Sequence, residues 1–163
     1  PAEDVFSFSS IAGTYSAFCN DYTSFMKDEN GKWIEYDDQT TDGCGYRNLE
    51  LIVDKNGFVN VNVKDTKKQD YLGPDFDYCE SWYTGEGKFS LKDNNTPYAE
   101  ISLKYNSSCK PVDETTRKLQ DVLINGVYTM EIQSESGVMK VQYTEIINFG
   151  TDFKQIMYFD AVK

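Results

Sequence analysis

Twenty-seven carboxylates and no histidine set the chemistry open to this chain of 163 residues. Two acids held about 5 to 10 Å apart are enough for a glycosidase, with no imidazole needed. Glu131 and Glu145 fall on neighbouring expected strands, where both could point into a barrel. So many acids make such pairs easy to find, and we read these two as charges on a solvent face. Without histidine there is no Ser-His-Asp triad, no Cys-His pair and no imidazole base titrating near neutrality. No G-x-S-x-G elbow occurs either. The expected class is a non-enzymatic protein with no catalytic residues.

Calcium is the metal that hard oxygen ligands would suit, and Asp37, Asp38, Asp42, Asp75, Asp77 and Glu80 crowd into expected loops. An EF-hand register begun at Asp38 places Thr40, Asp42 and Gly43 acceptably. Its twelfth position then falls on Leu49, where a bidentate glutamate is required. These acids read as solvated loops, and neither metal nor cofactor is expected.

Cys19, Cys44, Cys79 and Cys109 form an even set without a C-x-x-C pair. A zinc site would need all four thiolates from four distant segments, so two disulfides are the expectation. Three connectivities are possible. We favour Cys19 with Cys44 and Cys79 with Cys109, since each pair would tie a long loop to a neighbouring strand. Disulfides place the protein outside a reducing cytosol: secreted, at the cell surface or periplasmic. Sequons at Asn94 and Asn106, both in expected polar turns, fit that address as candidate glycosylation sites.

Aromatic residues make up 15% of the chain. Trp33, Tyr36, Phe58, Trp82, Tyr83, Phe89, Tyr128, Tyr143 and Tyr158 all fall in expected strands, where they could line a cavity for a small apolar ligand. A different use of aromatics is offered by the segment from Asp70 to Tyr78, within an expected loop over 65–78. There Tyr71, Phe76 and Tyr78 would anchor a protein partner, while Asp75 and Asp77 steer towards a basic surface.

The elements that must position these residues are strands. In Phe58 to Lys64, Val59, Val61 and Val63 alternate with Asn60, Asn62 and Lys64, as in a half-buried strand. Leu49 to Asp54 precedes it, and Asp54-Lys55-Asn56-Gly57 supplies a hairpin turn. Gly87 to Leu91 and Tyr98 to Tyr105 predict a second hairpin. Gly126 to Gln133, Val138 to Ile147 and Gln155 to Val162 predict a closing meander. With Gly13 to Phe18, Lys32 to Tyr36 and Glu80 to Thr84, there are about nine to ten short strands at nearly regular spacing. That is the pattern of an antiparallel barrel, with a β-sandwich as the alternative. One short helix is expected over Val112 to Leu123, with Asp113 and Glu114 at its positive end. Asn20 to Gly31, Asp37 to Gly45 and Asp65 to Tyr78 read as long loops.

Ile11-Ala12-Gly13-Thr14-Tyr15, followed by this meander and a helix in the C-terminal half, resembles the lipocalin and wider calycin pattern. That family opens with Gly-x-Trp, where this chain has Tyr15, and its helix is followed by fewer strands. The resemblance implies an up-and-down barrel closed at one end by the first strand, with a cup for a small apolar ligand at the other. It carries over no ligand residue.

The net charge of −11 repels phosphate backbones and anionic membranes. No apolar run reaches the roughly 18 residues of a membrane span. No leader-like stretch follows Pro1, so the chain reads as a mature fragment or an artificially trimmed one. No linker divides it, and residues 1–163 are expected to form one domain, a secreted protein that binds a small apolar ligand or a basic protein surface.

Overall fold

The computed structural model describes residues 6–37, 43–65 and 80–163. Within them the chain is all-β, with eleven strands and one α-helix. The strands in chain order are β1 (Gly13–Phe18), β2 (Asp21–Lys27), β3 (Trp33–Tyr36), β4 (Arg47–Val53), β5 (Phe58–Asp65), β6 (Ser81–Lys88), β7 (Ser90–Lys92), β8 (Thr96–Ser107), β9 (Val127–Glu135), β10 (Val138–Asn148) and β11 (Asp152–Ala161). The helix α1 spans Glu114–Ile124, between β8 and β9. No described helix is long and apolar enough to cross a membrane.

All strands join one antiparallel sheet, ordered β1-β4-β5-β6-β8-β9-β10-β11-β2-β3, with β7 added on β8. The ladders do not return to their start. An isolated antiparallel bridge nonetheless joins β1 to the residue after β11: Ser16 and Val162 exchange backbone hydrogen bonds of 2.9 and 3.1 Å.

Alternation decides which face carries the core, because successive side chains of a strand point to opposite faces. Leu49, Leu51 and Val53 on β4, Val59, Val61 and Val63 on β5, and Met139, Val141 and Tyr143 on β10 are all buried in a single cluster. Polar residues between them stand outside. The β4–β5 hairpin forms as expected, with the Asp54 carboxylate accepting the backbone N–H of Asn56 at 2.8 Å and of Phe58 at 3.0 Å. Gly57 closes that turn at φ 87°, and the Phe8 ring lies where a Cβ would stand, 2.9 Å away. The 3₁₀ turn Phe8–Ile11 therefore packs over this end of the sheet, fixed by a 2.8 Å hydrogen bond from the Tyr15 hydroxyl to the Ile11 carbonyl.

The helix starts two residues later than expected. Asp113 is its N-cap, accepting the Thr116 N–H at 2.8 Å, while Thr116 Oγ1 accepts the Asp113 N–H at 3.1 Å. The Thr116 N–H and then the Thr116 hydroxyl, which donates to Asp113 Oδ1 at 2.9 Å, hold the Asp113 carboxyl below its ordinary pKa. The Tyr128 hydroxyl donates to the Leu123 carbonyl and ties the helix end to β9.

Two expectations need correction. Asn20 to Gly31 is not a long loop, since Asp21–Lys27 is β2, paired with both β11 and β3. Only Ser24 in it is fully buried, so its sequence shows no clean alternation. Asn106 lies not in a polar turn but near the end of the twelve-residue strand β8. The Cys19–Cys44 disulfide is present, with Cα atoms 5.4 Å apart. Cys109 is also disulfide-bonded; Cys79, its expected partner, lies outside the described residues.

Candidate functional site

Two opposite charges occupy core positions at the end of the sheet away from Phe8. Arg47 opens β4 on the same face as Leu49 and Leu51, and Glu145 extends the buried row Met139, Val141, Tyr143 on β10. Arg47 is 6% exposed and Glu145 4%. Arg47 Nη1 lies 2.7 Å from Glu145 Oε1, and Arg47 Nε lies 3.9 Å from Asp65 Oδ2 on β5. The Arg47–Glu145 contact is a short, buried ion pair, and the buried Tyr143 hydroxyl lies on the same strand face as Glu145 and feels its charge. Charges are costly to desolvate, so an ion pair among apolar core residues marks a special locus.

Tyrosines surround the pair. The Arg47 guanidinium sits 4.9 Å from the Tyr83 ring centre and 5.5 Å from that of Tyr46. Tyr83 packs on Tyr128 at 4.7 Å, Tyr105 at 5.6 Å and Tyr143 at 5.9 Å between ring centroids. Burial, and then the Glu145 charge, raise the phenol pKa of Tyr83, Tyr143 and Tyr128 above the ordinary value. Burial opposes the charge on Arg47, but Glu145 and the facing tyrosines outweigh it, so the guanidinium is held firmly protonated.

Glu145 also borders a groove of about 300 Å³ between β2, β3, β10 and β11. Ser24, Tyr36, Phe149, Phe153 and Gln155 form its walls, with Ile147 and Lys154. Phe149 and Phe153 meet edge to face at 6.2 Å. Chemically this is a largely aromatic slot, with the buried Arg47–Glu145 pair behind it.

Of the residues expected to line a ligand cavity, Tyr36 reaches the groove, while Tyr128 and Tyr143 stand in the tyrosine cluster behind it. Phe89 is buried in the core. Trp33 is half-buried on β3, with the Lys27 and Lys154 ammonium groups 5.0 and 4.7 Å from its ring centre. Trp82 and Tyr158 are half-buried on the face opposite the core, and Phe58 is exposed there under Lys88. The expected cavity set is thus divided among groove, core and outer face.

Glu131 is exposed as expected, but Glu145, expected on a solvent face as well, is buried on the core face. Tyr128, Met130 and Ile132 take the core face of β9, which puts Glu131 on the opposite side of the sheet from Glu145. The expected partner-binding residues Tyr71, Asp75, Phe76, Asp77 and Tyr78 lie outside the described residues, as do Asp38 and Asp42. Glu80 is exposed and pairs with Lys64 at 3.5 Å. Among the described residues no group of three or more acids, cysteines or histidines could hold a metal. Asn106 donates its amide nitrogen to Thr84 Oγ1 and to the Lys104 carbonyl, each at 3.0 Å. Asn94 falls in a 3₁₀ turn, Asp93–Asn95.

Sequence reasoning missed Arg47. The signal was its parity: Arg47, Leu49, Leu51 and Val53 share one face, and a lone arginine in such a row needs a buried counter-charge. The same counting on β10 aligns Glu145 with Val141 and Tyr143. The chain matches no family model, no curated protein and no solved structure.

Proposed function

We propose that this protein is a non-enzymatic, exported binding protein whose sheet rolls into a lipocalin-like barrel and takes a small ligand at one end. The Ser16–Val162 bridge supports closure, because it brings the first strand of the ladder against the end of β11. The Phe8–Ile11 turn covers the end at Gly57, leaving the Glu145 end for a ligand. The Cys19–Cys44 disulfide supports an extracellular or periplasmic address.

The observation that carries the reading is the groove beside Glu145. The interior between the strands is filled by Tyr83, Met130, Tyr143, Met157 and Phe159, so a ligand would enter at the rim and not the middle. Small-ligand sites are concave and mainly apolar, with few polar groups that fix orientation, and the Tyr36–Phe149–Phe153 slot has that composition.

The test combines native mass spectrometry with amide NMR. A small-molecule adduct lost on solvent extraction, or shifts at Ile147, Phe149 and Phe153 on titrating indole, is the expected result. No adduct, together with indole shifts scattered away from this groove, would overturn the reading.

A further inference from the structure

We infer that two copies of this protein associate edge to edge through β3, joining their sheets into one. The inference stands apart from the groove and its ligand.

β3 ends the strand order, and among the described residues no strand pairs with its outer edge. The Asp28 N–H donates to the Lys32 carbonyl at 2.9 Å, so the alternation of antiparallel pairing makes Met26–Ile34 and Ser24–Tyr36 the hydrogen-bonded pairs of the β2–β3 hairpin. The N–H and C=O groups of Trp33 and Glu35 therefore point away from β2, a bare template for another strand. A two-fold axis through Ile34, perpendicular to the sheet, sets Trp33 of each copy opposite Glu35 of the other. Each such pair then exchanges both N–H···O bonds, and Ile34 faces Ile34.

The side chains on both faces favour this register. On the face that carries the core, Ile147, Phe153, Met26 and Ile34 stand side by side across β10, β11, β2 and β3. Met26 is 36% exposed and Ile34 47%, so this apolar row runs out into solvent at the edge. The two-fold axis continues it into the same row of the second copy, as a self-complementary contact requires. On the other face, Lys27 and Lys154 hold their ammonium groups 5.0 and 4.7 Å from the Trp33 ring centre. Lys27 also pairs with Asp152 at 3.1 Å. Lys154 and the exposed Glu35 have no ion-pair partner among the described residues. Setting Glu35 against the second copy's Trp33 brings its carboxylate to these ammonium groups. A register centred on Glu35 would instead oppose two like charges.

Sedimentation equilibrium tests this. The unaltered protein is expected to dimerise with a dissociation constant below about 100 µM, and Glu35→Lys to weaken the dimer at least about tenfold. Cysteine substitution reads the register. Cα atoms of a non-hydrogen-bonded pair stand about 4.5 Å apart, within disulfide reach, so Ile34→Cys is expected to give a linked dimer on non-reducing electrophoresis. Glu35→Cys, whose two copies lie beyond the limit of roughly 7 Å, is expected to stay unlinked. A protein that remains monomeric throughout that concentration range would overturn the inference and leave the edge to a strand of another protein. A dimer that Ile34→Cys does not link, or whose affinity Glu35→Lys leaves unchanged, would overturn the pairing through β3.

Discussion

Arg47 Nη1 and Glu145 Oε1 lie 2.7 Å apart although β4 and β10 are not neighbours in the sheet. Backbone pairing alone does not bring these strands together; their side chains meet across the core face. Each charge keeps the other tolerable in an apolar interior, so their energetics are joined.

Removing one partner strands the other. Arg47→Met is expected to destabilise the protein by about 3 to 5 kcal/mol, whereas Arg47→Met with Glu145→Leu should recover most of that loss. Urea unfolding of the two variants checks this, and a double variant as unstable as the single one would contradict it.

Alkaline titration should single out three buried tyrosines. The folded-state pKa of Tyr83, Tyr128 and Tyr143 is raised above the unfolded value near 10. Their contribution to stability is therefore fully present below that pH and is lost as pH rises beyond it towards the folded values. Phenolate absorbance is expected to show Tyr83, Tyr128 and Tyr143 ionising only as the near-UV dichroism collapses. Smooth ionisation of all twelve tyrosines without unfolding would refute it.

Gly85 of β6 passes so close to β8 that an added Cβ would stand 2.5 Å from the Ser102 carbonyl oxygen and 2.9 Å from Ile101 Cγ2. The obstacle is backbone, which yields little. Gly85→Ala is expected to cost about 1 to 3 kcal/mol, read as a lowered melting temperature. Gly31→Ala has open space in the same sense and is limited to the strain of φ 76°.

The Cys19–Cys44 bridge closes a separation of 25 residues. Replacing both cysteines by alanine should cost about 3 to 4 kcal/mol on the chain-entropy account. Denaturant midpoints with and without the bridge measure it.

Strands with regular alternation were legible from sequence: Val59, Val61 and Val63 announced β5, and the β9–β10–β11 meander followed from its turns. β2 was not, because its Asp21–Lys27 segment buries only Ser24 fully and so lacks a two-residue rhythm. The site was half legible. Aromatic type identified Tyr36, Tyr128 and Tyr143, yet type alone does not say which rings fill a core and which edge a groove. That division depends on the pairing of β2 with β11 and of β3 with β2, a tertiary fact with no local trace. Phe149 and Phe153 sit around the turn between β10 and β11, where the alternation gives no guide to their packing.

The contact between Ser16 and Val162 has a kinetic consequence. Two residues from opposite ends of the described chain meet only once the intervening ladders have been laid in register, so this bridge forms late and slowly, with sheet borders bare in the interval. Refolding yield should accordingly fall with concentration, because a neighbouring molecule can seize a bare border before the chain's own partner arrives.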